Sequence, residues 1–347
     1  MLKFQDFPLW LNLTLFAGAA FLVWMAGTRL ADYADAVATR TGLSKVFLGM
    51  MMLGIATSLP ELVTTVTASI IGNAALVSGN LFGGVALQVV VLAIVDLLAV
   101  RGALTYFAPR PLLLFHGVML LLLLALALAG ASAGEPLALY GVGLTPLILL
   151  GGYVLTLRMS TGSDYLPRWK ATDEPPKSNA NDSGTTRFER TSNRRLYLFA
   201  AFAGALLFVA GWVLANAGDA LAEQTALGAS FIGVALVASS TSLPELSTTL
   251  AAVRRGNHEM AVSNILGTNC LEVALFFPSD LFYRKGPILA AIDRSAMFAG
   301  TLAMVVTCVF VIGLLERRNR TVLGMGIDSL IVIIVYIVGL AGLFYLR

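Results

Sequence analysis

Charge is scarce in this chain. Asp, Glu, Lys and Arg make up 12% of its 347 residues, and 58% are hydrophobic. A soluble domain carries about twice that share of charge. The composition therefore excludes a soluble globular protein and leaves a polytopic membrane protein, with the lipid bilayer as its solvent. Cysteine is nearly missing. The two present, Cys270 and Cys308, both lie in apolar stretches, so a disulfide framework is excluded as an organising device. No His or Cys cluster accompanies the polar motifs below, which argues against zinc or copper. No nucleic-acid partner is expected. The first apolar stretch, Pro8 to Gly27, has spanning length and is not a short signal-peptide core, so no cleavable leader is expected.

What is abundant is apolar sequence of spanning length. A transmembrane helix needs roughly 20 apolar residues. Ten such segments are expected: 8–27, 44–71, 74–100, 111–131, 137–157, 196–217, 226–253, 260–282, 293–315 and 322–346. They fall into five and five around a polar stretch that holds Asp173, Glu174, Pro175, Pro176 and Lys177. The expected organisation is a first five-helix half over 1–158, a linker over 159–195, and a second half over 196–347. The linker is too polar and too short to bury a core of its own.

Lys and Arg set the orientation. With the N-terminus outside, 18 of them fall on the cytoplasmic side and 5 on the other. Both termini are then outside and the linker is cytoplasmic, in the inner (plasma) membrane. Five spans per half also force the halves into opposite orientations, an inverted-topology repeat. The Asn181-Asp182-Ser183 glycosylation pattern falls on the cytoplasmic side and is set aside.

The halves share a motif. Thr57-Ser58-Leu59-Pro60-Glu61-Leu62 recurs as Thr241-Ser242-Leu243-Pro244-Glu245-Leu246. At the same fixed offset the match runs on through Thr64-Thr65 and Thr248-Thr249, Gly72-Asn73 and Gly256-Asn257, Asn80 and Asn264, and Gly83 and Gly267. Each copy places an acid inside an apolar span, where burial is expensive and function is the default reading. Pro60 and Pro244 lack an amide proton and disfavour helix in the residue before them, so each span should kink or break there. Freed carbonyls at membrane depth need a partner, and a cation can be one. Thr57 and Ser58 lie four and three residues before Glu61, which puts them on its helix face, and Thr241, Ser242 and Glu245 repeat that spacing. The resulting site is all oxygen, which suits hard cations such as Ca²⁺ and Na⁺. The plainer alternative is a structural kink with Glu as a cap. Two copies in inverted orientation argue against it.

The following span adds a second layer. Gly84 and Gln88 are four residues apart, as are Thr268 and Glu272, so each pair shares a face. Gln88 and Glu272 hold equivalent repeat positions, one amide and one acid. Gln88 fits a helix–helix hydrogen bond as well as a ligand role. Glu272 fits a ligand role better, because a buried carboxylate costs more. Asp96, His116, Asp293 and Asp328 are expected to be interfacial or interhelical contacts without repeat counterparts.

These paired Thr-Ser-Leu-Pro-Glu segments, each followed by a Gly- and Asn-containing helix, resemble the α-repeats of the cation/calcium exchanger superfamily, in particular the prokaryotic sodium/calcium exchangers. The resemblance rests on residues 44–100 and 228–283. It implies a broken second and seventh span, with Ca²⁺ and Na⁺ bound at the positions of Glu61 and Glu245. The hydroxyls and carbonyls near Thr57, Ser58, Thr241 and Ser242 would complete the shell, and sliding first and sixth spans would give access to alternate sides. Gln88, Thr268 and Glu272 fall on the second layer of that site. This chain departs from the pattern at Ala56 and Ser240, at Gly84, which lacks the usual hydroxyl, and at Gln88 and Glu272, each one methylene longer than usual. Proton-coupled relatives typically carry Asn-Ala-Pro-Glu, so Thr-Ser-Leu-Pro-Glu favours Na⁺.

The function expected from the resemblance is a Na⁺/Ca²⁺ antiporter that extrudes Ca²⁺, with both ions as substrates, no cofactor and a single copy of the chain as the unit. One rival keeps the fold and couples to H⁺ through Glu272. Another is a non-transporting membrane scaffold with decayed sites. An enzyme is not expected, because no nucleophile–base set lies at membrane depth.

Overall fold

The computed structural model describes residues 3–41, 57–100, 102–139, 141–161 and 192–346. Helix prevails because lipid offers backbone groups no partners, so each segment must satisfy its own. In chain order the helices are α1 (Leu9–Thr41), α2 (Leu59–Ile70), α3 (Ala74–Ala99), α4 (Pro111–Ala133), α5 (Leu144–Thr161), α6 (Asn193–Thr225), α7 (Ala229–Thr241), α8 (Leu243–Arg254), α9 (His258–Ala274), α10 (Phe276–Phe282), α11 (Arg294–Glu316) and α12 (Ile327–Leu346). Many recur at nearly the same offset as the repeated motif, and α1 and α6 are each 33 residues long.

Among the described residues, seven helices are long and apolar enough to cross a membrane. The bent pair α7 and α8 makes an eighth. That falls short of the ten expected, for two reasons. Residues 44–56 of the expected second span lie outside the described residues. The expected span 137–157 begins with a hairpin, so its helix starts only at Leu144. The all-helical expectation holds, with two short hairpins in the loops. Two-residue strands pair as β1 (Ala138–Leu139) with β2 (Val142–Gly143), and as β3 (Thr321–Val322) with β4 (Met325–Gly326), in matching antiparallel register. Leu323 and Gly324 both have positive φ, 56° and 87°, the backbone that a tight two-residue hairpin turn requires.

The core is built on α3 and the α9–α10 segment. Their most apolar windows are 78% and 83% buried, whereas the other long spans reach 28–44%. Small residues allow the close approach. A Cβ on Gly79 would stand 2.6 Å from the Ser230 carbonyl oxygen, and one on Gly83 would stand 2.7 Å from Val234 Cα. α1 and α6 pack along each other at the periphery. The partners cross between halves: α2 packs on α6, and α8 packs on α1.

Asp96, expected to lack a counterpart, has one. At the end of α3 it accepts the N–H of Leu104 (2.9 Å), the N–H of Gly326 in the far hairpin (2.8 Å) and the Ser329 hydroxyl (2.6 Å). Asp280, at the matching position of the second repeat, accepts the N–H of Ile288 (2.6 Å) and of Gly143 in the other hairpin (2.7 Å). Each aspartate thus holds its own following loop and the hairpin of the opposite half.

Candidate functional site

The repeated motif folds as its prolines dictate. Pro60 and Pro244 each sit in the first two positions of a helix, where a missing N–H costs nothing. Ser58 and Ser242 precede them with nearly identical backbones, φ −80° and ψ 1° against φ −83° and ψ 4°. At Ser242 the axis turns by 45° between α7 and α8, the expected break. The matching half of the first copy lies outside the described residues. One local feature had no sequence signal. Residues 233–237 of α7 form a π-helical turn, a distortion common at functional sites.

Glu61 and Glu245 therefore open the second half-helices α2 and α8 and point inward. Both are fully buried, as are Thr57, Thr241, Gln88, Thr268 and Glu272, and Ser58 and Ser242 are 2% exposed. Glu61 lies near enough to Glu245 and Glu272 for their charges to interact, and Glu272 likewise feels the charge of Glu245. The hydroxyls are arranged crosswise. Thr241 faces the Glu61 carboxylate and Thr57 faces that of Glu245. Spacing along one helix groups Thr57 with Glu61 but carries nothing about the opposite half, so this exchange leaves no signal in the sequence.

The second layer meets at the seam between the halves. Gln88 Nε2 donates to Glu272 Oε1 at 2.9 Å, and Asn269 Nδ2 donates to the Val85 carbonyl oxygen at 3.3 Å. Both pairs are separated by 184 residues, so residues at the same repeat position touch each other. Contact between equivalent positions is what a two-fold relation produces. Asn80 and Asn264, matched in the sequence but not assigned a role there, are also buried in this layer. Asn80 Oδ1 lies 3.5 Å from the Thr241 hydroxyl.

Oxygen atoms without a hydrogen-bonding partner gather here. They include both carboxylate oxygens of Glu61 and of Glu245, the hydroxyls of Ser58, Ser242 and Thr268, and one oxygen each of Gln88, Asn264 and Glu272. Buried polar atoms are ordinarily satisfied, so such a concentration marks a place prepared for a cation or for water. Among the described residues, no three His, Cys, Asp or Glu side chains converge closely enough to hold a metal by themselves. A cation here would need the hydroxyl, amide and carbonyl oxygens as well as carboxylates.

The family profile described as sodium/calcium exchanger protein matches this chain twice, over residues 11–159 and 195–345. The candidate antiporter CaxA of Alkalimonas amylolytica is 24% identical over 318 residues, 87% of this chain and 91% of its own. The inner membrane protein YrbG of Escherichia coli K12 is 25% identical over 305 residues, 85% and 87% of the two chains. The solved structure of the sodium-calcium exchanger NCX_Mj, soaked with 2.5 mM Na⁺ and 0.1 mM Sr²⁺, superposes with a TM-score of 0.62 at 19% identity and covers 96% of this chain and 99% of that one, a likeness of fold. Two profile matches, one on each half and together covering most of the length, place this chain in the sodium/calcium exchanger family.

Proposed function

We propose that this chain is a Na⁺/Ca²⁺ exchanger that extrudes Ca²⁺ by alternating access, with Glu61 and Glu245 as the central ligands. The observation that carries the reading is the pair of fully buried carboxylates at matched proline breaks, with all four oxygens unpartnered. Buried carboxylates of one sign repel, and a divalent cation between them removes the conflict. Thr57, Ser58, Thr241 and Ser242 supply neutral oxygens, and Thr268, Gln88 and Glu272 form the adjoining coupling layer. No resident cofactor enters the scheme, and a single copy of the chain suffices.

Ten spans in two inverted halves are part of the proposal. Three contacts support the grouping of the loops onto two faces drawn from Lys and Arg. Arg110 pairs with Glu259 at 3.0 Å, and Asn319 accepts from the Ala103 N–H at 3.0 Å, both within the loops assigned to the cytoplasm. Lys285 donates to the Gly72 carbonyl at 2.9 Å, and both of these residues are assigned outside.

The test is Ca²⁺ binding and flux in Glu61→Gln and Glu245→Gln. One carboxylate at ~4 Å from a divalent ion, with an effective dielectric of ~20, interacts by roughly 8 kcal/mol before desolvation. Each neutralisation should abolish binding while the protein still inserts. Saturable Ca²⁺ transport in either variant would refute the assignment.

A second reading, H⁺/Ca²⁺ exchange, is favoured by one feature. Glu272 Oε2 and Gln88 Oε1 both lack partners, so the pair has room for a proton. Flux under a pH gradient without Na⁺ would decide for it.

A further inference from the structure

Gly84 stands at the seam, in the middle of α3. A Cβ built there would lie 2.6 Å from Glu272 Oε1, 3.0 Å from Oε2 and 3.1 Å from Cδ. No ordinary side chain fits beside the carboxylate as it sits. The contact crosses from one half to the other, and the same carboxylate takes the Gln88 Nε2 hydrogen bond one turn along α3 at 2.9 Å. Gly84 and Gln88 together therefore form a seat on α3: one residue leaves the volume and the other supplies the donor. The position equivalent to Gly84 in the second half holds Thr268, whose buried hydroxyl lacks a partner. The two halves are thus unlike at this level, with empty volume on one side and an oxygen on the other.

We infer that Gly84 is a specificity-determining residue. Its missing side chain seats the Glu272 carboxylate at the seam, where the acid serves the monovalent cation, Na⁺, in place of a neutral oxygen from position 84. This rests on the exchange reading above. Glu272 has the reach to enter the seat, and a shorter aspartate would leave the seat empty. The glycine and the long acid are then one device, and changing either alone should disturb monovalent coupling.

The test follows from the kind of atom that would clash. The end of a glutamate can swing aside, so Gly84→Ala should fold and displace the carboxylate, breaking its bond to Gln88. Loss of one hydrogen bond to a charged group should raise the half-saturating concentration of the monovalent cation about tenfold or more. Ca²⁺ affinity in its absence should change far less. Glu272→Asp alone should show a similar defect. The Gly84→Ser, Glu272→Asp pair, which returns a hydroxyl as it shortens the acid, should recover most of the loss. Thermal stability and its shift by Na⁺ and by Ca²⁺ are measured beside vesicle flux. An unchanged monovalent dependence in Gly84→Ala, or simple addition of the two defects in the double variant, would overturn the proposal. Should Gly84→Ala fail to insert, the same change in the Glu272→Asp background must be tolerated, and failure there too would overturn it. If the unsubstituted protein shows no Na⁺-driven flux, the exchange reading fails, and the rescue is still read from the cation-dependent thermal shifts.

Discussion

Asp96 and Asp280 do the same job with unequal numbers of bonds, and that inequality can be measured. Replacing Asp96 by Ala strands three donors, the N–H groups of Leu104 and Gly326 and the Ser329 hydroxyl. Replacing Asp280 by Ala strands two, the N–H groups of Ile288 and Gly143. Each buried donor left without a partner costs ~1–3 kcal/mol, so the expected losses are roughly 3–9 and 2–6 kcal/mol, with Asp96→Ala the larger. Reversible unfolding of the detergent-solubilised protein gives both numbers. The excess is assigned by a cycle with Ser329→Ala, since residues in one hydrogen-bond network couple. In the Ser329→Ala background, Asp96→Ala should cost about what Asp280→Ala costs. Equal losses in the single variants, or losses below ~1 kcal/mol in both, would refute the account of these aspartates as clamps between a core helix and the opposite hairpin.

Glu272→Gln should impair Na⁺-driven flux more than Ca²⁺ binding, since in the proposed scheme Glu61 and Glu245 already balance one divalent ion. Equal loss of both, by calorimetry and vesicle flux, would move Glu272 into the Ca²⁺ shell. Gly27→Ala should be more damaging than Gly211→Ala. A Cβ at Gly27 would run into the Pro244 ring, whereas one at Gly211 would meet Val63 at 3.0 Å. Overpacking of this kind costs ~1–3 kcal/mol, and thermal stability of the two variants gives the order. Single cysteines at positions 180 and 285 should react from opposite sides of the membrane, with 180 on the cytoplasmic side. Labelling of both from one side would reject the inverted topology.

The repeat made much of the site legible. A constant offset between the two halves identified Glu61 with Glu245 and Gln88 with Glu272, and the proline chemistry located the bend at Ser242. Other features escaped for physical reasons. Ala138, Leu139, Val142 and Gly143 are small or apolar, so hydropathy reads them as membrane span, although they pair as two short strands. α1 and α6 run to 33 residues, past the apolar segments that announced them, because a helix can extend beyond hydrocarbon wherever packing supports it. Asp280 stands at the repeat position of Asp96, but it lies beyond the densest matches, and only the hydrogen bonds give the two a common role.

The pairing across the halves was the least accessible part. Helical periodicity relates residues along one element, so it could group Thr57 with Glu61 but could not deliver the exchange that sets Thr57 against Glu245. The repeat does offer a rule once the structure is known: positions that touch their own counterparts lie on the axis relating the halves. Gln88 with Glu272, and Asn269 with Val85, satisfy it. An axis position is the one place where a symmetric pair of residues competes for a single volume. Two long acids there would collide and repel. One amide, one acid, one glycine and one threonine fill the same volume without conflict. At Gln88 and Glu272 the unlike residues let one side chain donate to the other, which two identical acids at that contact could not do.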